Sequence, residues 1–115
     1  MVDQKNLRKL DLACVYASAI FKLVYRLRDK KLYNQMFLWL DKLDPKILNP
    51  FPGKSDKSKK ELYYDHLTFA YYNSGQYEKC IEASKYALNN LDNLVGASWF
   101  QGRISGSLNK LGKTL

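Results

Sequence analysis

The sequence contains few of the residues on which metal sites and disulfide scaffolds are built. Its 115 residues include two cysteines, three prolines and one histidine. Two cysteines do not make a disulfide framework, and no set of Cys and His with metal-ligand spacing is present. We therefore expect Cys14 and Cys80 to be reduced, small residues of a helical core, and we expect no metal ion and no cofactor.

Long apolar runs are missing as well. The stretch MVDQKNLRKLDL carries charges throughout, so it lacks the uninterrupted apolar core of a secretory signal peptide. The most apolar run, LACVYASAIFKLVY, is interrupted by Lys22 and is shorter than the ~20 residues that a membrane span needs. These features predict a cytoplasmic, intracellular protein with no membrane partner, in which this run forms a buried helix.

Residue sets with catalytic spacing are absent too. No paired carboxylates, nucleophile–base set or phosphate-binding loop can be recognised, and general acid–base work needs a positioned partner for the single His66. We interpret His66 as a surface or groove-lining polar residue. Ser74-Gly75 is not preceded by a strand and lacks a G-x-S-x-G context, so it is interpreted as a turn. The sequence predicts a protein that is not an enzyme.

Apolar residues at helical spacing run through most of the chain, whereas strict apolar–polar alternation is not sustained anywhere. The fold class is therefore predicted to be all-α. Asp44-Pro45 ends the second helix, because proline lacks the amide donor and disfavours helix in its predecessor. The spacing predicts helices over about residues 4–28, 32–43, 59–73, 76–90 and 94–111.

The loop between the second and third helices contains all three prolines. It is short and apolar, and we expect Ile47, Leu48 and Phe51 to pin it to the helices. Ser58 and Glu61 have the S-x-x-E spacing of a capping box, in which both side chains would satisfy the first free amides of the third helix.

The last helix is predicted to divide into two sides. Its apolar side would hold Trp99, Phe100, Arg103, Ile104, Leu108 and Leu111. Its small and polar side would hold Gly102, Ser105, Gly106 and Asn109. In a helix with charged residues, the G-x-x-x-G pair is expected to permit close helix contact in water.

A glycine turn occurs twice along the chain. AYYNSGQY (70–77) and SLNKLGKT (107–114) share a helix end, two polar positions and a glycine, Gly75 or Gly112. From Glu61 onward, the sequence resembles the tetratricopeptide repeat, a helix–turn–helix unit of ~34 residues. The matching positions are Tyr64, Leu67, Tyr71 and Gly75 in the first helix and turn, and Tyr77, Cys80 and Ala87 in the second helix. Thr68 and Asp92 depart from the family pattern.

The resemblance implies a single domain, 1–115, of about five helices in antiparallel helix–turn–helix repeats, stacked as a short right-handed solenoid. The expected parts are an N-terminal helix pair (1–45), a Pro-rich loop (46–57), the best-matching unit (58–94) and the first helix of an incomplete further unit (95–115). The last helix would then leave an apolar side to be covered by the N-terminal helix, a second copy or further sequence. We therefore expect a homo-oligomer or a piece of a longer array.

The resemblance also implies a function, because the first helices of such repeats line a groove that binds a peptide or protein. Tyr63 and Tyr72 are assigned to the groove, and Tyr64 and Tyr71 to the core. The Lys and Asn that hold a peptide's C-terminal carboxylate in some relatives are not evident, since Asp65 and Phe69 stand at those positions. The expected groove residues are Leu62, Asp65, Phe69, Tyr72, Asn73, Trp99, Asn109 and Lys110.

Charge suggests a second kind of partner. The formal charge is +8, and the whole excess lies in residues 1–60. Such asymmetry is typical of proteins with an acidic partner, although charged helix ends also serve solubility. An alternative is a nucleic-acid-binding helical protein that uses this basic half, with Tyr or Phe stacking on bases. The candidate patch contains Arg26, Arg28, Lys30, Lys31, Lys57, Lys59 and Lys60.

Overall fold

A computed structural model describes residues 4–52 and 57–112, with side chains from residue 16 onward. The described part is all-α and contains no strand, which confirms the predicted fold class. Cys14 lies in the first helix, but its side chain falls outside the described residues. The helices are α1 (Gln4–Asp29), α2 (Tyr33–Leu40), α3 (Lys59–Asn73), α4 (Tyr77–Asn90) and α5 (Ala97–Lys110), with a 3₁₀ turn at Pro45–Ile47. None of the described helices is both long and apolar enough to cross a membrane.

The odd-numbered helices end in the same way. After α3, Gly75 has a φ of +81°, and the amides of Gly75 and Gln76 donate to the carbonyls of Tyr72 and Tyr71. This is a Schellman cap, in which a left-handed residue turns the chain back onto the last helical turn. After α5, Gly112 has a φ of +73° and its amide donates to the carbonyl of Asn109. The sequence repeat is therefore a repeat in backbone conformation.

The cap of α1 is built from a non-glycine residue. Lys31 has a φ of +60°, its amide donates to Arg28, and the next amide, that of Leu32, donates to Leu27. A side chain with a Cβ is strained in this left-handed region. The sequence could not reveal this third copy, because the glycine that marks the other two is absent.

The helices pack in a repeating order. Each odd helix contacts the even helix that follows it and the next odd helix, and each even helix contacts the next odd helix. α1 and α3 run parallel, since Ser18 pairs with Lys59 and Arg28 with Asp65. α3 and α5 also run parallel, with bonds from Gly96 to Glu61 and, further along both helices, from Arg103 to Asp65.

The core consists of two clusters that share α3. The larger lies between α1, α2 and α3 and the smaller between α3, α4 and α5. Because α3 is covered on several sides, it buries polar as well as apolar residues and has no single apolar stripe. The buried members of the larger cluster are Ala17, Ile20, Phe21, Val24, Leu27, Met36, Leu40, Leu43, Leu48 and Ala70; those of the smaller are Tyr64, Ala87 and Phe100.

Small side chains lie where α3, α4 and α5 approach each other. Thr68, Cys80, Ser84 and Ser107 are all fully buried. The expectation that Cys80 is a small core residue is therefore confirmed. The buried hydroxyl of Thr68 is paired, because it donates to the carbonyl of Tyr64 at 2.7 Å.

The Pro-rich loop is less firmly packed than predicted. Leu48 is buried, but Ile47 and Phe51 are 63% and 70% exposed, so two of the three expected anchors are wrong. Backbone polar groups hold the loop instead. The amide of Lys60 donates to the carbonyl of Asn49 at 3.1 Å, which fixes the loop against the start of α3.

The two sides of α5 also differ from the prediction. Phe100 and Ser107 are fully buried, whereas Trp99, assigned to the apolar side, is 63% exposed. Gly106 lies on a contact side, since a Cβ there would be 3.1 Å from the ring of Tyr72. The other exposed positions of α5 are polar or glycine: Ser98, Gln101, Gly102, Ser105, Asn109 and Lys110. The described part of α5 therefore does not leave a broad apolar side uncovered.

Candidate binding cleft

A cleft of about 400 Å³ opens between the C-terminal end of α1, the second half of α3 and the start of α5. Four residues of the predicted groove meet in it: Phe69, Tyr72, Asn73 and Trp99. The structure adds two arginines from neighbouring helices and a glycine. The full lining is Arg28, Phe69, Tyr72, Asn73, Trp99, Gly102 and Arg103.

The other predicted groove residues lie elsewhere. Leu62 packs against the core formed with α1 and α2. Asp65 is 5% exposed and lies beneath the cleft rather than in its wall. Asn109 and Lys110 are exposed near the end of α5 and do not line the cleft.

Asp65 binds three cationic side chains from three parts of the chain. Its Oδ1 lies 2.6 Å from Nη1 of Arg103, and its Oδ2 lies 3.3 Å from Nζ of Lys57 and 3.4 Å from Nη1 of Arg28. Burial alone would raise the pKa of Asp65, but the charge and hydrogen bond of Arg103, together with the charges of Lys57 and Arg28, outweigh burial and lower it. The carboxylate is therefore ionised and joins α1, α3 and α5.

Both arginines of the cleft donate hydrogen bonds to protein groups through a single guanidinium nitrogen, Nη1. Arg103 Nη1 also approaches the Asp65 carbonyl at 3.2 Å and Thr68 Oγ1 at 3.1 Å. The Arg28 guanidinium lies 3.6 Å from the centre of the Phe69 ring, close enough for a cation–π contact. Within the described ranges, no protein group accepts a hydrogen bond from Nη2 or Nε of either arginine.

His66 is a buried structural residue, so its assignment to the surface or groove is wrong. Its side chain is fully buried, with the ring edge-on to Tyr25 at 4.4 Å. Arg28 Nη1 lies 3.2 Å from Nδ1, and since a guanidinium only donates, Nδ1 accepts and Nε2 carries the proton. Burial lowers the pKa of His66 to about 4, because the charged form would lose its hydration. The ring is therefore neutral at pH 7.

Glu61 plays a part that the sequence pattern did not reveal. Ser58 accepts a hydrogen bond from the Glu61 amide at 3.0 Å, which confirms half of the capping box. The Glu61 carboxylate, however, accepts from the amides of Val95 and Gly96 at 2.8 and 2.9 Å. It thereby fixes the loop that leads into α5 instead of capping its own helix. The capping pattern identified the residue but not its partner, which lies in a distant loop.

The basic residues predicted as one patch divide into groups. Arg28 and Lys57 converge on Asp65, and Lys59 Nζ donates to Ser18 Oγ at 2.9 Å. Arg26, Lys30 and Lys31 are exposed near the end of α1, and Lys60 is half-buried on α3. Arg103 was missed, because nothing in its local sequence indicates a pairing with Asp65.

Tyr63 lies on the opposite side of α3 from its predicted place. It lines a second groove, over α3 and between α2 and α4, with Phe37, Leu67 and Tyr71. Burial, followed by the nearby Tyr71 and Asp41, raises the pKa of Tyr63. Burial also raises the pKa of Tyr64, to about 12, and its side chain is 9% exposed, in line with its predicted core position.

Within the side chains that the structure describes, no three His, Cys, Asp or Glu residues are grouped so that they could hold a metal ion. Comparison of the chain with protein-family models, curated proteins and solved structures found no match.

Proposed function

We propose that the protein is a non-enzymatic interaction module that binds a peptide or protein segment in the cleft between α1, α3 and α5. The main support for this proposal is the exposed Trp99, which lines the cleft together with Phe69 and Tyr72 and is 63% accessible. Tryptophan, tyrosine and arginine are enriched among the residues that contribute most to binding at protein interfaces. A tryptophan left this exposed gains apolar contact area when a partner covers it.

We further propose that the helices stack as a short right-handed solenoid of the tetratricopeptide type. Two observations support this proposal: the parallel course of the odd helices and their shared left-handed caps at Lys31, Gly75 and Gly112. In such stacks the first helices of successive units form one continuous face, which suits an extended ligand. The cleft lies on this face, because its lining comes entirely from odd helices.

The state of Asp65 and His66 supports a non-catalytic role. Asp65 is held by three cations, and the His66 ring is fully buried with a pKa lowered to about 4 by burial. A general acid or base must reach its substrate and change protonation near the working pH. Neither residue meets both conditions.

Nucleic-acid binding by the basic half is the alternative. Lys22 and Arg26 on α1 and Lys30 just after its end are exposed at a spacing of four. Against this alternative, the predicted basic residues do not form one continuous track, because Arg28 and Lys57 converge on Asp65 and Lys59 donates to Ser18. The observations favour the peptide cleft.

Selection from a phage-displayed library of random dodecapeptides tests the proposal. Trp39→Phe leaves Trp99 as the sole tryptophan, so its emission reports occupancy of the cleft. We expect selected peptides to shift this emission and, with binding measured by titration calorimetry, to bind Trp99→Ala at least tenfold more weakly. Phe51→Ala removes an aromatic side chain that is 70% exposed outside the cleft, and should bind as the parent does. Peptides that bind all variants equally would refute the cleft as the binding site.

A further inference from the structure

We propose that the cleft selects acidic peptide segments, with a ligand carboxylate bound between Arg28 and Arg103, and that Asp65 is a built-in counter-ion that weakens this binding. The inference rests on the proposed function and names the chemistry of its partner. It also assigns Asp65 a role in setting affinity.

The first argument is the unused hydrogen-bonding capacity of the two arginines. Each guanidinium contacts protein acceptors through Nη1 alone, within the part of the chain that the structure describes. Both line the cleft, and the Arg28 and Arg103 groups lie 3.6 and 5.7 Å from the same Phe69 ring. The remaining Nη2 and Nε donors form the planar pair that a carboxylate accepts in bidentate geometry.

The second argument is charge balance. Three cations surround the carboxylate of Asp65, and one positive charge remains in excess even when the other buried carboxylate of the described residues, Glu61, is counted against them. The side chains of Arg28, Lys57 and Arg103 are 22%, 24% and 11% exposed. The base of the cleft therefore keeps a net positive charge in a partly desolvated setting, where a ligand anion is attracted more strongly than in open water.

The third argument concerns the kind of anion. The walls combine the two arginines with Phe69, Tyr72 and Trp99, and a Cβ at Gly102 would meet nothing within 4 Å. This arrangement fits an acidic residue followed by an apolar or aromatic one. A nucleic-acid strand presents a phosphate at every nucleotide and needs a basic track, but the exposed Arg26, Lys30 and Lys31 do not line the cleft. An acidic peptide is therefore the better occupant.

The counter-ion role of Asp65 follows from the same contacts. It lies beneath the cleft and accepts from both arginines, so it competes with a ligand carboxylate for their charge. Replacing it by asparagine keeps its shape and its Oδ1 acceptor but removes one negative charge. The local potential then becomes more positive, and an acidic ligand should bind more tightly.

The test uses the dodecapeptides selected above and their Glu→Gln and Asp→Asn counterparts, with Trp99 emission as the readout. We expect the selected sequences to be rich in Asp and Glu, and the amide counterparts to bind at least tenfold more weakly at low salt. Arg28→Gln should weaken the acidic peptides about tenfold, whereas Asp65→Asn should tighten them about threefold. Arg26→Gln, which removes the same charge two residues away, is the matched control and should change little.

The outcomes separate the two proposals. Neutral or basic peptides that shift Trp99 emission and bind Arg28→Gln unchanged would overturn the acidic selectivity and leave the peptide cleft standing. Oligothymidylate that displaces the selected peptides and loses affinity in Arg28→Gln would also overturn it, in favour of nucleic acid. Weaker binding of acidic peptides to a folded Asp65→Asn protein, with folding checked by circular dichroism, would overturn the counter-ion role. Failure of every selected peptide to shift Trp99 emission would overturn both proposals.

Discussion

Arg103 Nη1 lies 2.6 Å from Oδ1 of Asp65, and the two residues belong to α5 and α3. The Asp65 side chain is 7% exposed and that of Arg103 is 11% exposed, so this ion pair is largely shielded from water. Charge-assisted bonds of this length are among the stronger polar contacts in proteins. The pair joins consecutive odd helices at the base of the cleft.

Replacing Asp65 by alanine should lower the free energy of unfolding by about 2 to 3 kcal/mol, because three partly buried cations lose their only shared anion. Asp65→Asn should cost less, about 1 to 2 kcal/mol, since it keeps an acceptor for Arg103. Urea unfolding followed by circular dichroism measures both values. Asp92→Ala, at an exposed loop position, is the control and should stay within about 0.5 kcal/mol. Equal effects of Asp65→Ala and Asp92→Ala would contradict the structural role of the cluster.

Glu61→Ala should destabilise the protein by about 2 kcal/mol. The side chain is 1% exposed and accepts from the amides of Val95 and Gly96, which would be left unpaired near the start of α5. Hydrogen exchange at these two amides should speed up in this variant. Glu82→Ala removes an exposed carboxylate from α4 and should leave both the stability and these amides unchanged.

Acidification should destabilise the fold over a pH range that is set by protonation of His66. Burial lowers the pKa of His66 from 6.5 to about 4, so between these values the unfolded chain binds a proton that the folded chain does not. Stability is therefore full above pH 6.5 and falls as the pH drops towards 4, by up to about 3 kcal/mol at ~1.4 kcal/mol per pKa unit. The lowered pKa of Asp65 adds a further loss below about pH 4, where its unfolded form takes up a proton.

Two measurements check this pH dependence. The single histidine allows its titration to be followed directly by NMR, and no change is expected above pH 5. Urea unfolding between pH 4.5 and 7.5 should show the loss in the parent but a flatter profile in His66→Gln, which cannot titrate. A histidine that titrates near pH 6.5 in the folded protein would refute its buried, neutral state.

Substitutions at the left-handed caps should change the stability of the protein in opposite directions. Lys31→Gly should stabilise the protein by about 0.5 to 1 kcal/mol, because Lys31 holds a φ of +60° that strains any residue with a Cβ. Gly75→Ala should destabilise it by about 1 kcal/mol, since φ is +81° and a Cβ there meets no neighbour that could add a separate effect. Gly102→Ala, in ordinary helix with open space around it, should stabilise by up to about 1 kcal/mol. Thermal unfolding of the three variants and the parent measures these changes in stability.

The sequence predicted the helices well because their signals are local. Apolar spacing, the Ser58 cap and the Gly75 turn each act within a few residues, and α3 begins and ends where expected. The prediction that Asp44-Pro45 ends the second helix was wrong, because α2 already ends at Leu40 and Pro45 begins the 3₁₀ turn. The position of Lys31 in a left-handed cap escaped prediction, since lysine carries no signal for that conformation.

The cleft was predicted only in part, for a physical reason. Phe69, Tyr72, Asn73 and Trp99 follow from the resemblance to the tetratricopeptide repeat, which implies that the first helices line a groove. The arginines do not, because a long flexible side chain can point to several neighbours, and Asp65 finds its partners among residues far away in the sequence. For the same reason, burial of His66 could not be foreseen: it depends on Phe21 and Tyr25 of α1 covering the ring.

In many stacked-helix proteins neighbouring units contact each other through apolar faces and can unravel one at a time from an end. Here one carboxylate, on Asp65, is bound at once by Arg28 from α1, by Lys57 just before α3 and by Arg103 from α5. If α1 or α5 unfolds, this carboxylate loses one of its cationic partners, and the contact that joins the other helix to α3 becomes weaker. The ion cluster therefore couples α1 to α5, and we expect the described helices to unfold in a single cooperative event rather than one at a time.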